Sequence, residues 1–377
     1  MTGTDNRART AKRALSGLDR LISDDTMMRR LATRRVCLLT NHAAATVDHV
    51  PASVAVTRAL AAHGSSPLCL FTPEHGIRLA QEAGAAVANS HDPLTGLPVV
   101  SLYAGSEDDT DTALDGLDTL IIDLRDVGVR CYTYAATAAK FAVAALERHI
   151  EVIVCDRANP LGPAVAGPRP EPERRSLLAH FDVPFIHGRT IGELISLAIA
   201  PVVTETPFSV YPADVSLQPP LGWIPPSPAL SHPDAVAAYG GLVLLEATNI
   251  SECRGTSVSF RAIAAPGLDT ESLAGAMNSW TTGFAGTPGE VFTKRAPDAG
   301  RTLPAVMVRP RKVPRRDPLS LGVHLVAWLI AHHPDFAWLP AGESGFAIDS
   351  LFGRADLRTG LDRGESAEDI LRGWRTD

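Results

Sequence analysis

Two apolar runs, Asp118-Thr119-Leu120-Ile121-Ile122-Asp123-Leu124 and Glu151-Val152-Ile153-Val154-Cys155-Asp156, flank a long Ala-rich helical stretch over residues 132–148. This arrangement limits the fold more than any other feature of the chain. A strand that is apolar on both faces has to be covered on both faces, and a helix between two such strands is the crossover of a parallel sheet. The same alternation starts earlier, with strands expected at 35–40, 68–71 and 98–102 and a helix at 52–63 stopped by Gly64. The pattern predicts an α/β fold with right-handed crossovers. A chain of 377 residues exceeds one small core, so a second unit is expected. Pro-rich stretches at 159–172 and 201–233 suggest a division into 1–200 and 201–377. Beyond it we expect strands at 241–248 and 305–309. Helices are expected at 270–280 (capped by Asp269 or Thr270), 319–332 and 366–374.

Charge narrows the partners. A net charge of −7 disfavours a nucleic-acid or anionic-membrane role, because both need a basic surface. No apolar segment is long enough to span a bilayer. The polar N-terminus has no signal-peptide core, so the expected location is cytoplasmic. The five cysteines are scattered without CxxC spacing and read as buried reduced thiols. The chain has no GxGxxG after its first strand, no GxxxxGK[ST], no GxSxG elbow and no HExxH. That disfavours the common nucleotide, α/β-hydrolase and zinc chemistries.

What remains are acids and polar groups just past strand ends. Such positions form the ligand crevice of an open α/β sheet. Phe71-Thr72-Pro73-Glu74-His75-Gly76 puts a carboxylate beside an imidazole there. A carboxyl group in a partly desolvated cleft can serve as a proton donor, although a surface loop would explain the same residues. Asp123 to Arg130, followed by Tyr132 and Tyr134, is either an internal Asp–Arg network or a ligand site. Asp156, Arg157 and Asn159 suit sugar hydroxyls or carboxylates and equally suit a turn. Thr190 and Glu193 have capping-box spacing, which leaves His187 as a ligand contact. Glu246, Asn249, Glu252 and Arg254 crowd one polar stretch after an expected strand.

Taken in order, these segments resemble the NamZ-type exo-β-N-acetylmuramidases (glycoside hydrolase family 171). The matching stretches are LLTNH at 38–42, FTPEHGIR at 71–78, TGLPVVSLY at 95–103, LIIDLRDVGVRCYTY at 120–134 and DRANPLG at 156–162. They continue with PFIHGRTIGEL at 184–194, WIPPSP at 223–228, EATNISECRGTSVSF at 246–260 and IDSLFGRADLR at 348–358. The resemblance implies a Rossmann-like doubly wound domain with a smaller C-terminal α/β (α+β) domain closing a cleft. It also implies exo-hydrolysis of β-1,4-linked N-acetylmuramic acid from the non-reducing end of peptidoglycan fragments. No metal or nucleotide cofactor is implied, and the substrate is a small saccharide or muropeptide.

Glu74 matches the family's catalytic acid, with His75 orienting it. Glu252, Asp126 and Glu82 are the candidates for a second carboxylate, unless the substrate's own acetamido group replaces it. Asn41, Arg130, Tyr132, Tyr134, Asp156, Arg157, Asn159, His187, Asn249 and Arg254 are the expected substrate contacts. Arg157 or Arg254 is the expected partner of the lactyl carboxylate. The chain departs from the family at Gln81-Glu82-Ala83-Gly84-Ala85, where the acid after Gly84 is missing, and at Ala229, where the family carries Asn. The missing acid supports a rival reading, a muropeptide-binding protein that kept the cleft and lost turnover.

Overall fold

The computed structural model describes residues 14–79, 89–102, 113–202, 204–214, 223–294, 298–313, 315–342 and 345–374. Its first half is built on seven strands: β1 (Val36–Thr40), β2 (Cys69–Thr72), β3 (Ser90–His91), β4 (Pro98–Ser101), β5 (Thr119–Asp123), β6 (Glu151–Cys155) and, after the short pair β7 (Val165–Ala166) and β8 (Ile186–His187), β9 (Phe208–Tyr211). They form one sheet in the order β3-β4-β2-β1-β5-β6-β9. Every pairing is parallel except that of the edge strand β3. From β1 the chain winds outward through β2 to β4, then returns to β5 on the other side. The winding direction therefore reverses between β1 and β5, the switch point at which such sheets open a crevice.

The reason for this arrangement is visible in the strands. β1, β5 and β6 are buried at every residue, as a sheet covered on both faces requires. The helix Tyr134–Glu147 lies on one face and presents mainly alanine, which brings it close to the sheet. Phe141 on this helix meets Phe71 of β2 edge-to-face, with centroids 4.8 Å apart. The helix Ile191–Ile199 begins with the expected capping box between Thr190 and Glu193. The expected division near residue 200 falls between that helix and β9, and β9 joins the first sheet.

The second half carries an antiparallel sheet of β10 (Ala262–Ala264), β11 (Phe284–Phe292) and β12 (Thr302–Pro310), in the order β10-β12-β11. The helix Thr270–Ser279 packs on it, and the helix Pro318–His332 packs chiefly on the helix Pro233–Leu242. Asp269 caps the first of these through Ser272 N. No described helix is long and apolar enough to cross a membrane.

Two expectations need correction. Residues 241–248 were expected as a strand. They are instead the end of the helix Pro233–Leu242 and a 3-10 turn, Val243–Ala247. The cause is a close helix crossing. A Cβ on Gly241 would lie 2.1 Å from Pro318 O, and one on Gly322 would lie 2.6 Å from Gly241 O. The apolar run is therefore a helix buried on all sides, which periodicity alone does not distinguish from a buried strand. The second correction concerns the cysteines. The β1–β2 register sets Cys37 directly opposite Cys69, and the two form a disulfide with Cα atoms 5.1 Å apart, within disulfide reach. Cys131, Cys155 and Cys253 are buried free thiols as expected.

Candidate active site

Glu74 lies two residues past the end of β2, on the loop beside the switch point. Its Oε2 accepts a hydrogen bond from Thr133 Oγ1 at 3.1 Å. Thr133 is the N-cap of the helix Tyr134–Glu147, yet its side chain makes no cap bond to that helix. An N-cap threonine ordinarily serves its own helix; this one holds the loop carboxylate instead. The following residue, His75, is buried and adopts φ 71°, with Gly76 at φ 73°. A left-handed non-glycine residue is uncommon and costs energy, so its presence beside an acid marks a loop whose shape is held by its surroundings. The His75 ring meets Tyr134 edge-on at 6.4 Å.

Aromatic contacts lead from this loop into the second half. Tyr134 packs on Tyr132 at 4.7 Å, and Tyr132 on Tyr239 at 6.1 Å. The Tyr132 hydroxyl donates to Pro226 O. Burial pushes both Tyr132 and Tyr134 far above the ordinary phenol range, so they act as neutral groups. Beyond Tyr239 lies Arg254, which donates to Glu252 at 3.1 Å and to Glu246. Cys253, between Glu252 and Arg254, is again a left-handed non-glycine residue (φ 60°). Burial opposes the charge on Arg254, but the two carboxylates outweigh it and raise its pKa.

On the β5 side, Asp126 Oδ2 accepts from Gly128 N at 2.7 Å and lies 3.2 Å from His187 Nε2. His187 Nδ1 accepts from Arg189 N. In a neutral ring the proton then belongs on Nε2, facing Asp126.

The remaining expected contacts differ in how far the fold itself engages them. Asn41, one residue past β1, is buried. Its Oδ1 accepts from Ala43 N, and its Nδ2 has no hydrogen-bond partner among the described residues. Arg157 makes a two-point ion pair with Asp123, at 2.5 and 2.7 Å, and donates to Ala45 O. Burial opposes its charge, yet Asp123 holds its pKa above the ordinary value. Asp156 accepts from Arg157 N, Gly192 N and Thr190 Oγ1. Asn159 bridges Arg189 O and Leu161 N, which is turn chemistry. Arg130 donates to three carbonyls, those of Pro168, Val183 and Phe352, and so staples the two halves together. Asn249 bridges Asp335 O and Ala337 N. Glu82 and the departure around Gly84 lie outside the described residues.

Two participants escaped the sequence reading. Thr133 could have been flagged as a threonine at a helix start. Arg125 sits in the same run as Arg130, and nothing in the sequence tells the two apart. Among the described residues, Thr72 Oγ1, Arg125 Nε, Asp126 Oδ1 and Trp223 Nε1 are also buried without a partner. Thr72, Arg125 and Asp126 sit at or just past the ends of β2 and β5. Buried polar atoms are nearly always satisfied; unpartnered atoms also occur elsewhere in the described fold, for example at Ser209, Ser259 and Thr282, and these three are distinguished by lying together at the carboxyl edge of the sheet.

Comparison with known proteins agrees over the whole chain. Residues 36–234 match the family model of the exo-beta-N-acetylmuramidase NamZ N-terminal domain, and residues 237–377 match that of its C-terminal domain. The chain is 31% identical to the peptidoglycan beta-N-acetylmuramidase NamZ of Bacillus subtilis (strain 168), over 98% of this chain and 90% of that protein. Among solved structures, a DUF1343 family protein from Bacteroides fragilis superposes with a TM-score of 0.80 at 25% identity, covering 97% of this chain and 95% of that one. A second Bacteroides fragilis protein of that family superposes with a TM-score of 0.69 at 24% identity over the same shares and supports the fold.

Proposed function

The chain belongs to the exo-β-N-acetylmuramidase NamZ family in both of its halves, and from that premise we propose that it is an exo-acting glycosidase releasing β-1,4-linked N-acetylmuramic acid from the non-reducing end of peptidoglycan-derived fragments. Glu74 is the proton donor. The observation that carries this role is its position: a carboxylate past β2, beside the switch-point crevice, held by a threonine that gives up its own helix cap to do so.

Glycoside hydrolysis needs an acid to protonate the departing oxygen. Glu74 donates that proton, and the C–O bond to the aglycone breaks as positive charge develops at the sugar carbon. Water or the substrate's acetamido oxygen completes the displacement. Thr133 fixes one carboxylate oxygen. His75, locked by its backbone and by Tyr134, sets the loop's shape. Asp126 and Glu252 are the candidates for a second carboxylate. Asp126 keeps one oxygen unpartnered among the described residues, whereas Glu252 bonds to Arg254. That difference favours Asp126.

The test compares release of chromophore from a chromogenic β-N-acetylmuramide by wild type and by Glu74→Gln. General acid catalysis contributes about 10²–10⁴-fold, and a loss of that size is expected with binding of N-acetylmuramic acid retained. Unchanged release would remove Glu74 from the role. Binding by the wild type without any release would favour a binding protein.

A further inference from the structure

Muramic acid differs from other amino sugars of the cell wall by a lactyl carboxylate, and an enzyme selective for it needs a cation that the fold has not already neutralised. The two arginines expected for this from sequence are both committed. Arg157 gives Nε and Nη2 to Asp123, and Arg254 is held by Glu246 and Glu252. Arg130 also leaves its Nε buried without a partner among the described residues, but three carbonyls hold its two Nη atoms. Arg125 is the least engaged of the four. It has no carboxylate partner among the described residues. Among the described residues its one hydrogen bond is a long one, Nη1 to Ile224 O at 3.4 Å, and its Nε is buried without a partner.

Resting on the function proposed above, we infer that Arg125 is the specificity-determining residue of this site and receives the substrate's lactyl carboxylate in its guanidinium fork. Three observations converge. First, Arg125 stands two residues past β5, on the opposite side of the switch point from Asn41 and on the strand next but one to the Glu74 loop. Second, both Asp123 oxygens are taken by Arg157, so this carboxylate does not pair with Arg125, whose positive charge is left over. Burial, and then the neighbouring charge of Arg157, pull Arg125 down to about 10, and burial does the same to Arg130; Arg130 is held by three carbonyls, whereas Arg125, with one long hydrogen bond among the described residues, is the cation left to meet an anion. Third, guanidinium geometry matches a carboxylate at two points, which a lysine cannot do.

The experiment uses matched chromogenic β-N-acetylmuramide and β-N-acetylglucosaminide, together with the binding of free N-acetylmuramic acid and N-acetylglucosamine measured by calorimetry. Arg125→Gln and Arg125→Lys are compared with wild type, and the methyl ester of the lactyl group is tested on the unaltered protein. A charge-assisted contact of this kind corresponds to about 10- to 100-fold. Arg125→Gln should lose that factor on the muramide, chiefly in KM, and leave the glucosaminide unchanged. Arg125→Lys should recover part of it, and the ester should reproduce the loss without any mutation. Equal preference for ester and acid by the wild type, or an Arg125→Gln variant that folds and keeps the wild-type preference, overturns the assignment. If the wild type hydrolyses neither glycoside but binds N-acetylmuramic acid through Arg125, the assignment stands and the proposed activity falls.

Discussion

The carboxyl edge of the main sheet contains two stretches that look alike in sequence and differ in use. Past β6, Asp156, Arg157 and Asn159 are fully engaged: three hydrogen bonds reach the Asp156 carboxylate, Asp123 pairs with Arg157, and a turn takes both ends of Asn159. The helix Gly17–Ser23 also seats on this stretch. Gly17 N donates to Asp156 O, and a Cβ there would lie 2.2 Å from Tyr211 O. Past β2, β1 and β5, the same kinds of residue keep unpartnered atoms at Asn41, Thr72, Arg125 and Asp126. Acids, arginines and asparagines after strands therefore do not identify a site by themselves. Along this edge the two stretches differ in which of their hydrogen-bonding atoms the fold leaves unused.

Substitutions test that contrast. Arg157→Ala should have the largest effect, because it strands Asp123 as an unpaired buried charge. A loss of about 3–5 kcal/mol in stability is expected, read by urea denaturation, with the preference for muramide over glucosaminide intact in the protein that remains folded. A variant of undiminished stability that has lost that preference would erase the distinction between the two stretches. Next comes Asn159→Ala, which removes two turn hydrogen bonds and should cost about 1–2 kcal/mol without moving KM.

The smallest effect is a pH dependence at Asp156, whose carboxyl is held above its ordinary range by burial, against the hydrogen bonds from Gly192, Thr190 and Arg157. A raised folded-state pKa means that its contribution to stability is full below the unfolded value and is lost as pH rises through the folded one. The Tm of Asp156→Asn relative to wild type should therefore rise between acidic and neutral pH. A flat difference would mean that Asp156 stays charged in the fold at no cost.

Much of this was legible in the sequence, and the physics explains which parts. Apolar runs such as 119–123 and 151–155 gave their strands away because both faces are buried. The run 241–248 misled because a helix buried on all sides is equally apolar. β11 was hidden by Pro288 and Gly289 within it, residues tolerated because β11 is an edge strand. The helices Gly17–Ser23 and Asp25–Leu31 lie in a stretch that reads only as polar. The Glu74 loop could be found from composition and position. The separation of Arg125 from Arg157 could not, since it depends on which guanidinium reaches Asp123 across a strand boundary.

The seating of the helix Gly17–Ser23 also carries a consequence for the order of folding. Its anchors are Asp156 and Asp214: Leu15 N donates to an Asp214 oxygen across 199 residues, and Arg20 pairs with the same side chain. The helix also touches its sequence neighbours, the helices Asp25–Leu31 and Ala52–Ala61, but these anchors lie most of the first half of the chain away. A helix of seven residues is too short to persist alone. It therefore forms as it docks, and the closing of that side of the sheet is a late, long-range event in the folding of this half.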